Sequence, residues 1–194
     1  MAVGLFILLQ ERTFADALAV RLEEEPDMEV VAVLDTIALP PRSLVGSPVD
    51  VVLLDADIAD DAAFRMCQEL SQNSEAPHVI FLSHSAEPER IARGIRAGAV
   101  GWVCQYESLD RLLHVIRGAA RGEMLLPPGE TAAVLRLLAR GTDPDRNGGA
   151  LLLAAPPVAS RRLWYRHCPK RLITSAIRAG TRWAVFSPRR LHTG

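Results

Sequence analysis

Residues 49–61 read VDVVLLDADIADD, a short apolar run that breaks off into acids at Asp55. Its length and its Val and Leu content suit a strand buried on both faces, with Asp55 delivered to the strand's carboxyl end. Four comparable runs lie outward from it, at 4–9, 29–34, 78–82 and 101–104. The stretches between them carry helical periodicity instead. Phe14, Leu18 and Leu22 repeat at helical spacing, as do Phe64, Cys67 and Leu70, and Ile91 and Ile95 precede Gly98 as a C-terminal stop. Ser108 is placed to cap a helix in which Leu109, Leu112, Leu113 and Ile116 form one apolar stripe. Only the gap between the second and third runs is poor in helix signal. Pro40 and Pro41 interrupt it, so a helix there is expected to be short or absent. Strands alternating with helices predict an α/β domain with a parallel sheet covered on both faces.

Composition narrows the class. In 194 residues no stretch approaches the 18 or more apolar residues a membrane span needs. The apolar start has no positive residue before it, and Gln10, Glu11 and Arg12 stand where a signal-peptide cleavage site belongs, so a cytoplasmic strand is expected there. Three widely spaced cysteines, Cys67, Cys104 and Cys168, make neither a disulfide framework nor a zinc site and are expected as buried thiols. Charge is divided unevenly. Residues 1–140 hold 12 basic and 21 acidic side chains, whereas 141–194 hold 10 and 2. Pro127 and Pro128 close the first part, 130–140 reads as a further helix ended by Gly141, and 142–149 has the chemistry of a loop. The expected division is a domain over 1–126, a linker helix over 127–141, and a basic, Pro- and Arg-rich tail over 142–194 that is disordered or a degenerate output domain.

In an open parallel sheet, ligands and chemistry collect at the carboxyl ends of the strands. The residues there are Gln10 and Glu11 after the first run, Asp55 after the third, Ser83 after the fourth and Gln105 after the fifth. They predict a small polar cluster around one central carboxylate.

With these residues in place, the chain resembles the receiver domain of bacterial response regulators over about residues 4–126. The resemblance rests on VVLLD ending in Asp55, HVIFLS ending in Ser83, and RAGAVGWV with Trp102 where the family usually has an aromatic. PDMEVVAV around the second strand and LDRLLHVIRGAARGE before LLPP resemble the NarL/LuxR-type branch, whose receivers precede a helix-turn-helix. The resemblance implies a flavodoxin-like sheet in the order 2-1-3-4-5. It also implies Asp55 at the phospho-acceptor position and Ser83 as the phosphoryl-binding hydroxyl. Mg²⁺ would be held by acids after the first strand, by Asp55 and by the backbone carbonyl of Asp57. Trp102 would lie on the face where the family forms partner contacts, here a homodimer.

Three positions depart from that pattern. Gln10 takes the first acid place, leaving Glu11 as the second, and Gln105 stands where the family has a lysine. Mg²⁺ favours anionic oxygens in tight octahedral geometry, so its binding is expected to be weak. Phosphoryl transfer is catalysed by positioning and charge neutralisation, and losing one such electrostatic partner commonly costs ~3 kcal/mol. Phosphorylation is therefore expected to be impaired or absent. The family's Met-Pro-Gly turn is replaced by residues 57–61, and the Asp57, Asp60 and Asp61 side chains are equally accounted for as helix N-terminal acids. His78, His84 and His114 match no metal spacing and are expected as scattered structural or surface residues.

The expected function is two-component signal transduction by an atypical receiver linked to transcription, with a sensor histidine kinase as partner and no enzymatic turnover. Two alternatives are an active, phosphorylatable DNA-binding regulator and a flavodoxin-like module for a small ligand. No pair of amphipathic helices joined by a short turn is found in the tail. It reads as an output-domain remnant, or else as a nonspecific nucleic-acid binder in which Trp164, Tyr165 and Trp183 stack on bases.

Overall fold

All five apolar runs are strands in the computed structural model, which describes residues 2–35, 44–58 and 61–140. The order along the chain is β1 (Val3–Leu8), α1 (Arg12–Glu23), β2 (Met28–Leu34), β3 (Val51–Asp55), α2 (Ala62–Ser71), β4 (His78–Ser83), α3 (Pro88–Arg96), β5 (Gly101–Cys104), α4 (Leu109–Ala120) and α5 (Thr131–Arg140). The strands form one parallel sheet in the order β2-β1-β3-β4-β5. Residues 36–43, most of the gap where a short or missing helix was expected, and the tail from 141 onward lie outside the described residues, and Leu44 and Val45 form no more than a turn.

Alternation along each strand sends side chains to two separate cores. Phe6, Leu8, Val52, Leu54, Phe81 and Trp102 meet α2 and α3 on one face. Leu5, Ile7, Leu53, Ile80, Leu82 and Val103 meet α1 and α4 on the other. Every residue of β3 and β5 is buried, whereas edge strand β2 is half-exposed along most of its length. A buried Phe or Leu of this kind contributes roughly 1.5–3 kcal/mol, so the two faces together hold the strand ends in place.

Local chemistry sets the helix limits. The Ser108 hydroxyl accepts the Arg111 amide at 3.3 Å and starts α4 as its capping position predicts. Gly98, at φ +101°, takes the left-handed conformation that ends α3. Gly94 lets α3 approach the sheet, since a Cβ there would lie 3.1 Å from both the Phe81 and Trp102 rings. The free edge of β5 is shielded by the segment after α4, where Leu125 bridges Gly101 and its carbonyl accepts the Trp102 amide.

Trp102, placed by the resemblance on a partner-contact face, packs in the core. It is 1% exposed, packs its ring at a tilt 5.4 Å from Phe81 and donates its indole N–H to the Ser85 carbonyl at 3.1 Å. Its ring is therefore a core residue that ties β5 to the β4–α3 loop, and any contact on that side is made by the helices above it. The helix expected near 130–140 is α5, which packs along α3. Val134 is buried in the same core as Trp102, and Arg96 donates to the Leu137 carbonyl. Cys67 and Cys104 are buried as expected, and burial pushes the Cys67 thiol up to about 12. Cys168 lies outside the described residues.

Candidate functional site

Parallel pairing brings the carboxyl ends of β1, β3, β4 and β5 to one rim. Asp55 pairs in register with Leu82, and Ser83 with Cys104. Asp55 is 4% exposed and both of its carboxylate oxygens are engaged. One accepts the Gln10 amide at 3.2 Å and the other accepts the Asp57 amide at 2.8 Å. Ser83 is fully buried, and its carbonyl accepts the Gln105 amide at 2.9 Å. Gln10, Asp55, Asp57, Ser83 and Gln105 thus form one linked cluster, held at Gln10 and Gln105 by main-chain bonds. Glu11 is placed differently. It is exposed at the N-cap of α1, makes no capping bond with its side chain, and engages Ala15 through its carbonyl.

Asp57, expected as a helix-start acid, turns into the mouth. Its carboxylate accepts the Ser83 hydroxyl at 3.2 Å and 3.3 Å, the His84 amide at 2.9 Å, and the His84 ring Nδ1 at 3.0 Å. Arg90, in the first turn of α3, closes the set with Nη1 at 2.6 Å. The Arg90 guanidinium also donates to the Ala56 carbonyl at 2.8 Å, which fixes its plane across the β3–α2 loop. The Ser83 oxygen in turn accepts the Ser85 amide at 3.1 Å, leaving its proton for Asp57. Burial pushes the Asp57 carboxyl upward, but the His84 amide, the His84 ring and Arg90 outweigh it and hold the group below the usual carboxylate value. Of the other acids expected at this helix start, Asp61 caps nothing. It takes φ 56° and pairs with Arg93 at 2.7 Å, while Asp60 lies outside the described residues.

His84 and Arg90 are the residues that sequence reasoning missed. Arg90 carried a signal: a cation in a helix's first turn opposes the helix dipole, so it needs an anion nearby to be favourable there. His84 directly follows Ser83 and shares its loop, but a lone histidine gives no such cue.

No lysine occurs among the described residues, since the chain's single one is Lys170. At the mouth the guanidinium of Arg90 serves Asp57, while Asp55 is held by neutral amides. Nor do the residues fit a tightly held Mg²⁺ ion. Among the described residues no three His, Cys, Asp or Glu side chains gather as a metal-holding group, Gln10 is neutral, and the Asp57 carboxylate is spent on Ser83, His84 and Arg90.

The comparisons with known proteins agree with this architecture. The response regulator receiver domain family matches residues 6–117, more than half of the chain, and the protein belongs to that family. Receiver domains are generally non-enzymatic signalling domains and commonly bind Mg²⁺ at the phosphorylation site. Among relatives, the chain is 27% identical over 136 residues to an uncharacterised transcriptional regulatory protein, YvfU, of Bacillus subtilis (strain 168), covering 69% of this chain and 67% of that one. It is 24% identical over 111 residues to the Fimbriae Z protein of Escherichia coli (strain K12), covering 57% and 53%. The matches thus span about two thirds and about half of these relatives' lengths. In fold it is similar to a LuxR-family two-component response regulator from Aurantimonas sp. SI85-9A1, with TM-score 0.63 and 14% identity over 72% of this chain and 99% of that one. Among the described residues no helix is long and apolar enough to cross a membrane.

Proposed function

We propose that this chain is an atypical receiver that signals through protein contacts, with little or no phosphorylation of Asp55, in a cytoplasmic two-component pathway that controls transcription. One observation carries this reading. The hydroxyl and the cation that could neutralise a transferring phosphoryl group, Ser83 and Arg90, are bonded to the Asp57 carboxylate, and no lysine stands at Gln105. A phosphodonor approaching Asp55 therefore meets a second anion and finds the local positive charge already used. A sensor histidine kinase is the partner proposed for the domain, and Mg²⁺ binding is proposed to be weak. The division into a receiver over 1–126, a connecting helix over 127–141 and a basic tail over 142–194 belongs to the same proposal. So do homodimerisation on the face above Trp102 and nucleic-acid contact by the tail.

Incubation with acetyl phosphate and Mg²⁺, followed by intact-mass measurement, tests the reading. The expected result is no stoichiometric mass gain. A gain of one phosphoryl group per chain, abolished by Asp55→Asn, overturns it in favour of an active, phosphorylatable regulator.

A further inference from the structure

The donors gathered at the end of β4 form a built site for an oxyanion. The Ser83 hydroxyl is fully buried and oriented by the Ser85 amide. The His84 amide and ring lie within 3.0 Å of one carboxylate oxygen, and Arg90, braced on the Ala56 carbonyl, lies 2.6 Å from the other. Neutral and charged donors converging from a strand end, a loop and a helix on two oxygens make the charge-assisted pattern that selects carboxylate or phosphate. Asp57 supplies those oxygens from inside the chain, while its own amide is held by Asp55.

We infer that Ser83, His84 and Arg90 constitute an oxyanion-binding site that the chain fills with its own Asp57 carboxylate, a tethered stand-in for an external phosphate group. The inference rests on the reading that Asp55 is poorly phosphorylated and supplies a cause for it: the place where a phosphoryl group's oxygens could be bonded is already taken. Tethering gives Asp57 a large advantage over a free ion. Short connections yield effective concentrations on the order of millimolar or more, and here the Asp57 amide is held by Asp55. The Ser83 and Arg90 arrangement that an anion would stabilise is then present without any modification.

Titration of the full-length protein with inorganic phosphate tests this, with the His84 and Ser85 backbone amides followed by two-dimensional NMR. Following those two amides separates this site from binding of phosphate to the basic tail. In the wild type they are expected not to saturate up to phosphate concentrations on the order of tens of millimolar. In Asp57→Ala they are expected to saturate, with affinity raised at least about tenfold, and adding Arg90→Ala is expected to reverse that gain. Asp57→Ser serves the same purpose should the alanine variant fold poorly. The inference is overturned if neither Asp57 variant binds more tightly than the wild type, if the wild type saturates as they do, or if the gain survives Arg90→Ala. The readout involves no covalent step at Asp55. A failure here therefore leaves the acetyl phosphate result untouched, and a phosphorylated Asp55 there does not decide this titration.

Discussion

The two sides of the mouth treat their carboxylates in opposite ways. On the β1–β3 side, Asp55 is almost fully buried and bonded to two neutral amides, those of Gln10 and Asp57. On the β4–α3 side, Asp57 is a quarter exposed, yet it has a guanidinium, an imidazole, a hydroxyl and an amide. Asp55 stands at the strand end without a fixed cation of its own, and the cation at the mouth serves an acid two residues away. A site can thus keep its architecture while its electrostatics move to a neighbour, because the sheet sets where strand ends lie but not which anion the nearby donors choose.

Breaking the platform beneath both sides should have the largest effect. Phe81 is fully buried in β4, 5.0 Å from Phe64 and 5.4 Å from Trp102. Phe81→Ala is expected to cost ~3–5 kcal/mol, read by urea unfolding. It should weaken Asp55 and Asp57 together, so a loss under about 1 kcal/mol would mean that the two sides do not share this support.

Removing one side's anion comes next. Asp57→Ala is expected to cost roughly 1–2 kcal/mol near neutral pH, because it leaves the buried Ser83 hydroxyl and the Arg90 charge without their partner. The folded-state pKa of Asp57 lies below the ordinary 3.8, so between the two values the unfolded chain binds more protons. The stabilisation from Asp57 is therefore present above 3.8 and is lost as pH falls through the depressed value. Unfolding of wild type and Asp57→Ala at a series of pH values should show their difference shrinking in that acid range. A difference that grows there contradicts the assigned contacts.

The smallest expected effect belongs to a neighbouring cation that faces elsewhere. Arg93, one turn from Arg90, stacks 4.5 Å above the Phe64 ring and pairs with Asp61 on an exposed surface. Arg93→Ala is expected to cost at most about 1 kcal/mol and to leave the His84 amide resonance in place. A displaced His84 signal would show that α3 positions its cations as a unit rather than one by one.

Much of the scaffold could be read from the amino acids. Val and Leu runs buried on both faces left few alternatives to strands, and the assigned strand ends differ from expectation by at most two residues. Ser108 announced the start of α4, and Gly98 the end of α3. Parallel pairing brought Asp55 and Ser83, with the main chains of Gln10 and Gln105, to one rim as expected, whereas Glu11 lies exposed at the start of α1. What escaped was partner choice among charges. Asp57 reads as a helix-start acid because the adjacent Asp60 and Asp61 suggest it, and only the fold shows that Ser83, His84 and Arg90, at least 26 positions on, converge on its oxygens. Trp102 reads as an edge-strand packing residue, and Gly94 shows how closely α3 covers it.

A pair of double-mutant cycles measured by urea unfolding tests most directly whether the mouth's cation belongs to Asp57 rather than to Asp55. One cycle combines Arg90→Ala with Asp57→Ala, the other Arg90→Ala with Asp55→Ala. The expected outcome is a coupling of about 1 kcal/mol or more between Arg90 and Asp57, against less than about 0.5 kcal/mol between Arg90 and Asp55. The reverse ranking would contradict the account, because it would show that Arg90 neutralises Asp55 after all.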